Sequence, residues 1–226
     1  MVVFDLDDTL YKERDFVTSS FRVISREASR RGIISYEKAL SILYGSRDGA
    51  GAFSGLAAEI ASRAPGCGLS EEWMVNTYRT HQPDITLSPE TLHVLEELKR
   101  KGIKTGLITD GRSNTQRAKI KALGLERFMD PGNILISGET GFDKNHREPF
   151  VMMMERNPEE KGFIYVGDNP AKDFVWPNSL GWLTVQLDDC GGMNIHPQDM
   201  DRPDSFLPRY HIDSLSGLLS GEIPIA

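Results

Sequence analysis

Three carboxylates in four positions, Asp5, Asp7 and Asp8, follow directly on the apolar run Val2-Val3-Phe4 at the start of the chain. The run is β-branched and aromatic, which predicts a short buried strand. It starts at the initiator methionine, so the strand is expected to be short or to begin upstream. Carboxylates crowded at the end of a buried strand repel one another, and desolvation opposes their ionisation. A cation relieves both penalties, so the stretch predicts a metal site at the carboxyl edge of a sheet. A solvated acidic turn would also accept these residues. What decides is whether later strands deliver partners to the same edge.

The rest of the chain divides by periodicity. Val17, Phe21, Ile24 and Ala28 recur at helical spacing, as do Tyr36, Ala39, Leu40 and Leu43. Leu56 to Ala64 reads as a third helix and Ser70 to about His81 as a fourth, with no strand signal between Asp15 and Pro83. A helical insert over 15–84 is therefore expected. Between its second and third helices, Gly45 to Gly55 carries four glycines in eleven residues. That loop is either substrate-facing, with Arg47 available for an anion, or a plain surface connection.

From residue 85 onward strands and helices alternate. Ser88-Pro89-Glu90 is a helix start, with a capping hydroxyl, an early proline and an early acid. Strands are expected at Ile103–Ile108, Asn133–Ser137, Phe163–Val166 and Trp182–Leu187, with helices near Ser113–Leu123 and Pro149–Arg156. The expected fold is α/β, a Rossmann-like core of residues 1–14 and 85–226. Its sheet is mostly parallel with helices on both faces, beside a small all-helical domain. The polar, proline- and glycine-rich stretch from Asp188 to Pro208 is expected as a long loop near the mouth or a contact surface.

In such a sheet ligands bind outside the carboxyl ends of the strands. The residues that follow the expected strands are Asp5 and Asp7, then Thr109, then Asp168, with Lys144 in the loop after the strand ending near Ser137. Three acids, a hydroxyl and a lysine thus sort to one edge. Oxygen-only ligands suit Mg2+ better than zinc, which favours nitrogen and sulfur.

These residues carry a resemblance. Asp5-Leu6-Asp7-Asp8-Thr9 matches motif I of the haloacid dehalogenase-like (HAD) hydrolases, and Leu107-Ile108-Thr109-Asp110-Gly111 resembles motif II. Gly141-Phe142-Asp143-Lys144, with Pro149-Phe150 downstream, is similar to motif III. Val166-Gly167-Asp168-Asn169-Pro170-Ala171-Lys172-Asp173 is similar to motif IV. Asn145 stands where the family often has proline, which makes Arg147 a rival to Lys144; the spacing to Phe150 favours Lys144.

The resemblance implies a Mg2+-dependent phosphatase acting on a small phosphorylated metabolite, a sugar phosphate or nucleoside monophosphate, with the insert as its cap. It implies Asp5 as the nucleophile and Asp7 as the acid and base, with Thr109 and Lys144 on the phosphoryl oxygens. Asp110, Gly111 and Arg47 become substrate contacts. Asp5, the backbone carbonyl of Asp7, Asp168 and, at least through water, Asp173 become the metal set. Members that expel halide lack an acid two residues after the nucleophile, so Asp7 favours phosphate esters. A phosphoryl mutase is the alternative enzyme, and a non-catalytic phosphate-binding module the alternative outside catalysis. A net charge of −7 argues against a nucleic-acid polymer as partner. No window approaches the roughly 18 apolar residues of a membrane span. With Cys67 and Cys190 alone and no basic-then-apolar leader, a cytoplasmic location is expected.

Overall fold

A computed structural model describes residues 1–45, 51–198 and 203–225. They form two compact units, one of Met1–Arg14 with Thr86–Ala226 and the other of Asp15–Ile85.

In the larger unit the described residues form a six-stranded parallel sheet. The strands are β1 (Val2–Phe4), β2 (Thr105–Thr109), β3 (Ile134–Ile136), β4 (Ile164–Gly167), β5 (Leu183–Leu187) and β6 (Tyr210–Ile212). Their order is β3-β2-β1-β4-β5-β6. Phe4 registers with Leu107 on one side and Val166 on the other. The short β1 is therefore the centre of the sheet. The strand order reverses between β1 and β4, which is where an open parallel sheet leaves a crevice at its carboxyl edge.

Burial on both faces explains why the first strand reads as an unbroken apolar run rather than an alternating one. Val3 packs into a cluster with Phe150, Met153, Phe163, Tyr165, Phe174 and Trp182. Val2 and Phe4 point the other way by the pleat and are equally buried. Phe150 and Met153 come from α8 (Glu148–Arg156). The other helices of this unit include α5 (Pro89–Arg100), α6 (Ser113–Leu123), the one-turn α7 (Ser137–Thr140) and α9 (Val175–Ser179). The Ser88 hydroxyl caps α5 by accepting from the Thr91 amide at 3.0 Å.

The other unit is built from α1 (Glu13–Arg30), α2 (Tyr36–Gly45), α3 (Ala52–Arg63) and α4 (Glu71–Thr80). Its core joins Phe21, Ile24 and Ala28 of α1 to Ala39 and Leu43 of α2, Leu56 and Ile60 of α3, and Met74 of α4. Its described residues contain no strand.

Several boundaries differ from expectation. β2 begins at Thr105 instead of Ile103, because the Ile103 amide closes α5 by donating to the Leu98 carbonyl at 3.0 Å. Gly102, at φ +71°, makes that reversal possible. The glycine-rich loop is shorter than it reads: α3 starts at Ala52 and takes in Gly55. Burial of Ala52, Leu56 and Ile60 at four-residue spacing outweighs the roughly 1 kcal/mol a helical glycine costs. Ser137, expected to end a strand, and the polar residues after it form the single turn of α7, Ser137–Thr140.

The Phe150 ring meets Tyr165 and Trp182 edge-on at 5.4 and 5.8 Å between centroids. Phe150→Ala is expected to cost about 3–5 kcal/mol in a urea unfolding experiment. A loss below about 1 kcal/mol would show that this cluster does not hold the sheet to α8.

Candidate active site

Each strand at the centre of the sheet ends in a polar side chain. Asp5 follows β1, Thr109 closes β2 and Asp168 follows β4, and all three are buried. The Asp5 amide donates to the Val166 carbonyl at 2.9 Å, which ties the ends of β1 and β4 together. Asp5, Asp168 and Asp173 each offer a carboxylate oxygen within 4.8 Å of the others. Asp5, Asp7, Thr109, Asp110 and Asp168 also line a single cleft of about 130 Å3, with Lys172 and His196 at its wall.

Lys144 lies beneath that cleft with no exposed side-chain surface. Its Nζ is 2.9 Å from Asp5 Oδ1 and 2.6 Å from Asp173 Oδ1. Its backbone amide donates to Asp110 Oδ1 at 3.0 Å, so the loop after α7 is bound to the turn after β2. Arg147, the rival cation, is exposed at the start of α8. Asp173 Oδ2 accepts from the Asn169 amide at 2.8 Å. Both Asp173 oxygens are thus engaged, Oδ1 by the buried Lys144 ammonium and Oδ2 by backbone.

The electrostatics record a shortage of positive charge. Burial pushes the Asp5 carboxyl up to about 6, against the pull of Lys144 and with a further push from Asp173. Burial, then the charges of Asp173 and Asp5, push Asp168 up to about 8. Lys144 stays well above its ordinary value, because Asp173 and Asp5 outweigh the cost of burying it. An all-oxygen set of clustered carboxylates that hold protons tightly is a donor set that suits a hard divalent cation.

Asp7 has different surroundings. Lys119 Nζ lies 2.7 Å from its Oδ1, Tyr11 donates to the same oxygen at 2.5 Å, and Gln116 donates to Oδ2 at 3.0 Å. Burial pushes this carboxyl up, but the charge of Lys119 and the hydrogen bonds from Lys119, Tyr11 and Gln116 bring it below its ordinary value. Gln116 also donates to the Thr109 hydroxyl at 2.7 Å, linking the second acid to the end of β2. Lys119 and Gln116 were not singled out from the sequence. Their signal is a lysine and a glutamine on the buried stripe of α6, alongside Thr115, Ile120 and Leu123.

The remaining expected contacts are placed unevenly. Asp110 Oδ2 accepts from Lys172 at 3.2 Å. Lys172, one residue before Asp173, is the lysine that faces the cleft. The Gly111 amide donates to Ser137 Oγ at 2.9 Å, and its φ of +144° suits glycine. Arg47 lies outside the described residues. The stretch after β5 reaches this site, as its expected position near the mouth required. Asn194 Nδ2 donates to Asp168 Oδ2 at 3.0 Å.

The profile of the family described as haloacid dehalogenase-like hydrolase matches residues 2–176. A glyceraldehyde 3-phosphate phosphatase of Methanocaldococcus jannaschii is 30% identical over 225 residues, covering 96% of this chain and 94% of that protein. The crystal structure of a HAD phosphatase from Thermococcus onnurineus superimposes with a TM-score of 0.57 at 25% identity, covering 98% of each chain. The HAD-hydrolase YfnB of Bacillus subtilis, solved bound to magnesium, shares the fold at a TM-score of 0.63 and 22% identity, covering 96% of this chain and 95% of that one.

A pH dependence follows from the raised acids. Between the unfolded value of about 3.9 and about 8, the folded metal-free chain holds a proton on Asp168 that the unfolded chain has lost. Its stability should therefore fall as pH rises from about 5 to 8.5. A bound divalent cation replaces those protons, so Mg2+ should flatten or reverse the slope. Thermal melts across this range in EDTA and in Mg2+ check the sign; parallel curves would contradict it.

Proposed function

The chain belongs to the haloacid dehalogenase-like hydrolase family, and on that premise we propose a Mg2+-dependent phosphatase that hydrolyses a small phosphorylated metabolite, a sugar phosphate or nucleoside monophosphate, through an aspartyl-phosphate on Asp5. Phosphoric monoester hydrolysis is also the activity named for its relative from Methanocaldococcus jannaschii. The observation that carries the reading is the placement of Asp5 and Asp7 in one cleft with different partners. Asp5 faces Lys144, and Asp7 faces Lys119.

The two acids would divide the chemistry. An Asp5 carboxylate oxygen attacks phosphorus, the ester P–O bond breaks, and the leaving alkoxide takes a proton from Asp7. Asp7 then takes a proton from the water that cleaves the aspartyl-phosphate, which releases phosphate and restores Asp5. Its three donors keep Asp7 ionised, which suits the second step; the first requires it to exchange one donor for a proton. Lys144 holds Asp5 in place and favours its ionised form, and Thr109 and Lys172 would face the phosphoryl group. Asp5 and Asp168, with the Asp7 carbonyl, would hold Mg2+, and Asp173 would act by orienting Lys144. The cation's contribution when bound is to neutralise charge on the nucleophile and the phosphoryl oxygens. Asp7 also favours phosphate esters over organohalides, since halide departs without protonation.

Among the described residues no helix is long and apolar enough to cross a membrane. A small phosphorylated solute is the partner the cleft suits.

Turnover of p-nitrophenyl phosphate with Mg2+ tests this reading. Asp5→Asn is expected to abolish it and EDTA to suppress it reversibly. Asp7→Asn is expected to slow it about 10²–10⁴-fold with Mg2+ binding retained. Equal rates in the wild type and Asp5→Asn would overturn the reading.

A further inference from the structure

The loop between β5 and β6 makes a set of contacts that its composition does not announce. Asp189 folds it back on itself, accepting from the Met193 and Asn194 amides at 2.9 and 2.8 Å. Gln198 closes the same turn, accepting from the Asp189 amide at 2.7 Å. Its Nε2 donates to the carbonyls of Asp168 and Leu187 at 2.7 and 2.8 Å. The Ile195 amide donates to Asp8 Oδ2 at 2.8 Å. The loop is therefore fastened to the ends of β1, β4 and β5.

Asn194 stands in the middle of this arrangement. Its Nδ2 donates to Asp168 Oδ2 at 3.0 Å, and its Oδ1 accepts from Lys12 Nζ at 2.5 Å. The two neighbours fix which way the amide points. A lysine can only donate, so the amide oxygen must face Lys12, which leaves the nitrogen for Asp168. Lys12 is steadied by Asp189 at 3.7 Å, which returns the contact to the base of the loop. On the other side of Asp168, the Thr9 hydroxyl approaches Oδ1 at 3.4 Å.

We propose that Asn194, oriented by Lys12, is a positioning residue of the metal site: it holds the Asp168 carboxylate in the rotamer that presents an oxygen toward Asp5. The proposal rests on the Mg2+ site of the function proposed above. A carboxylate free to rotate loses affinity for a small cation that demands strict geometry, because binding must then order it. The Asn194 amide meets that ordering cost in advance.

Isothermal titration calorimetry of Mg2+ into the metal-free chain tests this independently of turnover. Asn194→Ala is expected to weaken binding about 10–100-fold, and Asn194→Gln, which keeps an amide donor, to recover part of the loss. Ile195→Ala keeps the backbone bond to Asp8 and should bind as the wild type does. The melting temperature of Asn194→Ala in EDTA should match that of the wild type. Wild-type affinity in Asn194→Ala overturns the proposal, and so does a wild type that does not bind Mg2+. A fall in the EDTA melting temperature that accounts for the lost affinity would make Asn194 a residue of the fold and also overturn it. Wild-type turnover of p-nitrophenyl phosphate decides the proposed function separately.

Discussion

Lys144, enclosed between Asp5 and Asp173 with no exposed side-chain surface, is the interaction on which the site depends. Burying an ammonium is costly unless its partners are close and themselves well held. Here they are held by backbone. The Asn169 amide fixes Asp173, and Asp173 lies so close to Gly167 that a Cβ there would be 2.4 Å from its Oδ2. The residue before Asp168 is thus glycine for want of space. The Lys144 amide in turn binds Asp110. One ion-paired lysine therefore joins the ends of β1, β2 and β4 to the loop that carries it, and geometry at any one of these depends on the other three.

That lysine does not balance the charge. Asp5 and Asp168 remain raised even with Lys144 in place, so the cluster retains an affinity for cations that the protein does not satisfy from its own side chains. The strand order accounts for the concentration of acids. β1 and β4 are neighbours at the reversal, and each sends a carboxylate past its end into the same crevice. The outer strands contribute less directly. β5 leads into the loop that returns Asn194 and Gln198 to Asp168, so the wall of the site comes from a stretch with no motif of its own.

What the sequence made legible tracks how local the signal is. β1, β2, β4 and the residues just past them were readable because an apolar run ending in a polar residue is a short-range pattern. Ser113–Leu123 was readable as a helix from its stripe, but the same stripe hid Lys119 and Gln116, whose partner Asp7 is more than 100 residues earlier. A lysine on a buried face can be explained only by the acid opposite it, and periodicity does not supply that acid. Asn194 is 26 residues beyond Asp168 in a polar loop, where an asparagine has no distinguishing context. Lys144 was legible despite Asn145 because its spacing to Phe150 is preserved, and Phe150 is set by the core.

The opening acidic cluster poses one remaining problem, since three carboxylates in four buried or half-buried positions should repel one another. The structure separates them by environment. Asp5 is paired with Lys144 and Asp7 with Lys119. Asp8 has neither: its Oδ1 accepts from the Glu13 amide at 2.9 Å and its Oδ2 from the Ile195 amide at 2.8 Å. Its backbone adopts φ +58°, a conformation aspartate tolerates better than most side chains do. That turn brings the Asp8 carboxylate to the first residue of α1 and to the loop after β5. The third acid takes no part in the proposed chemistry, yet it anchors the segment that holds Asp168. The opening motif thus builds the site twice, through the acids that carry the proposed chemistry and through the one that fastens the loop.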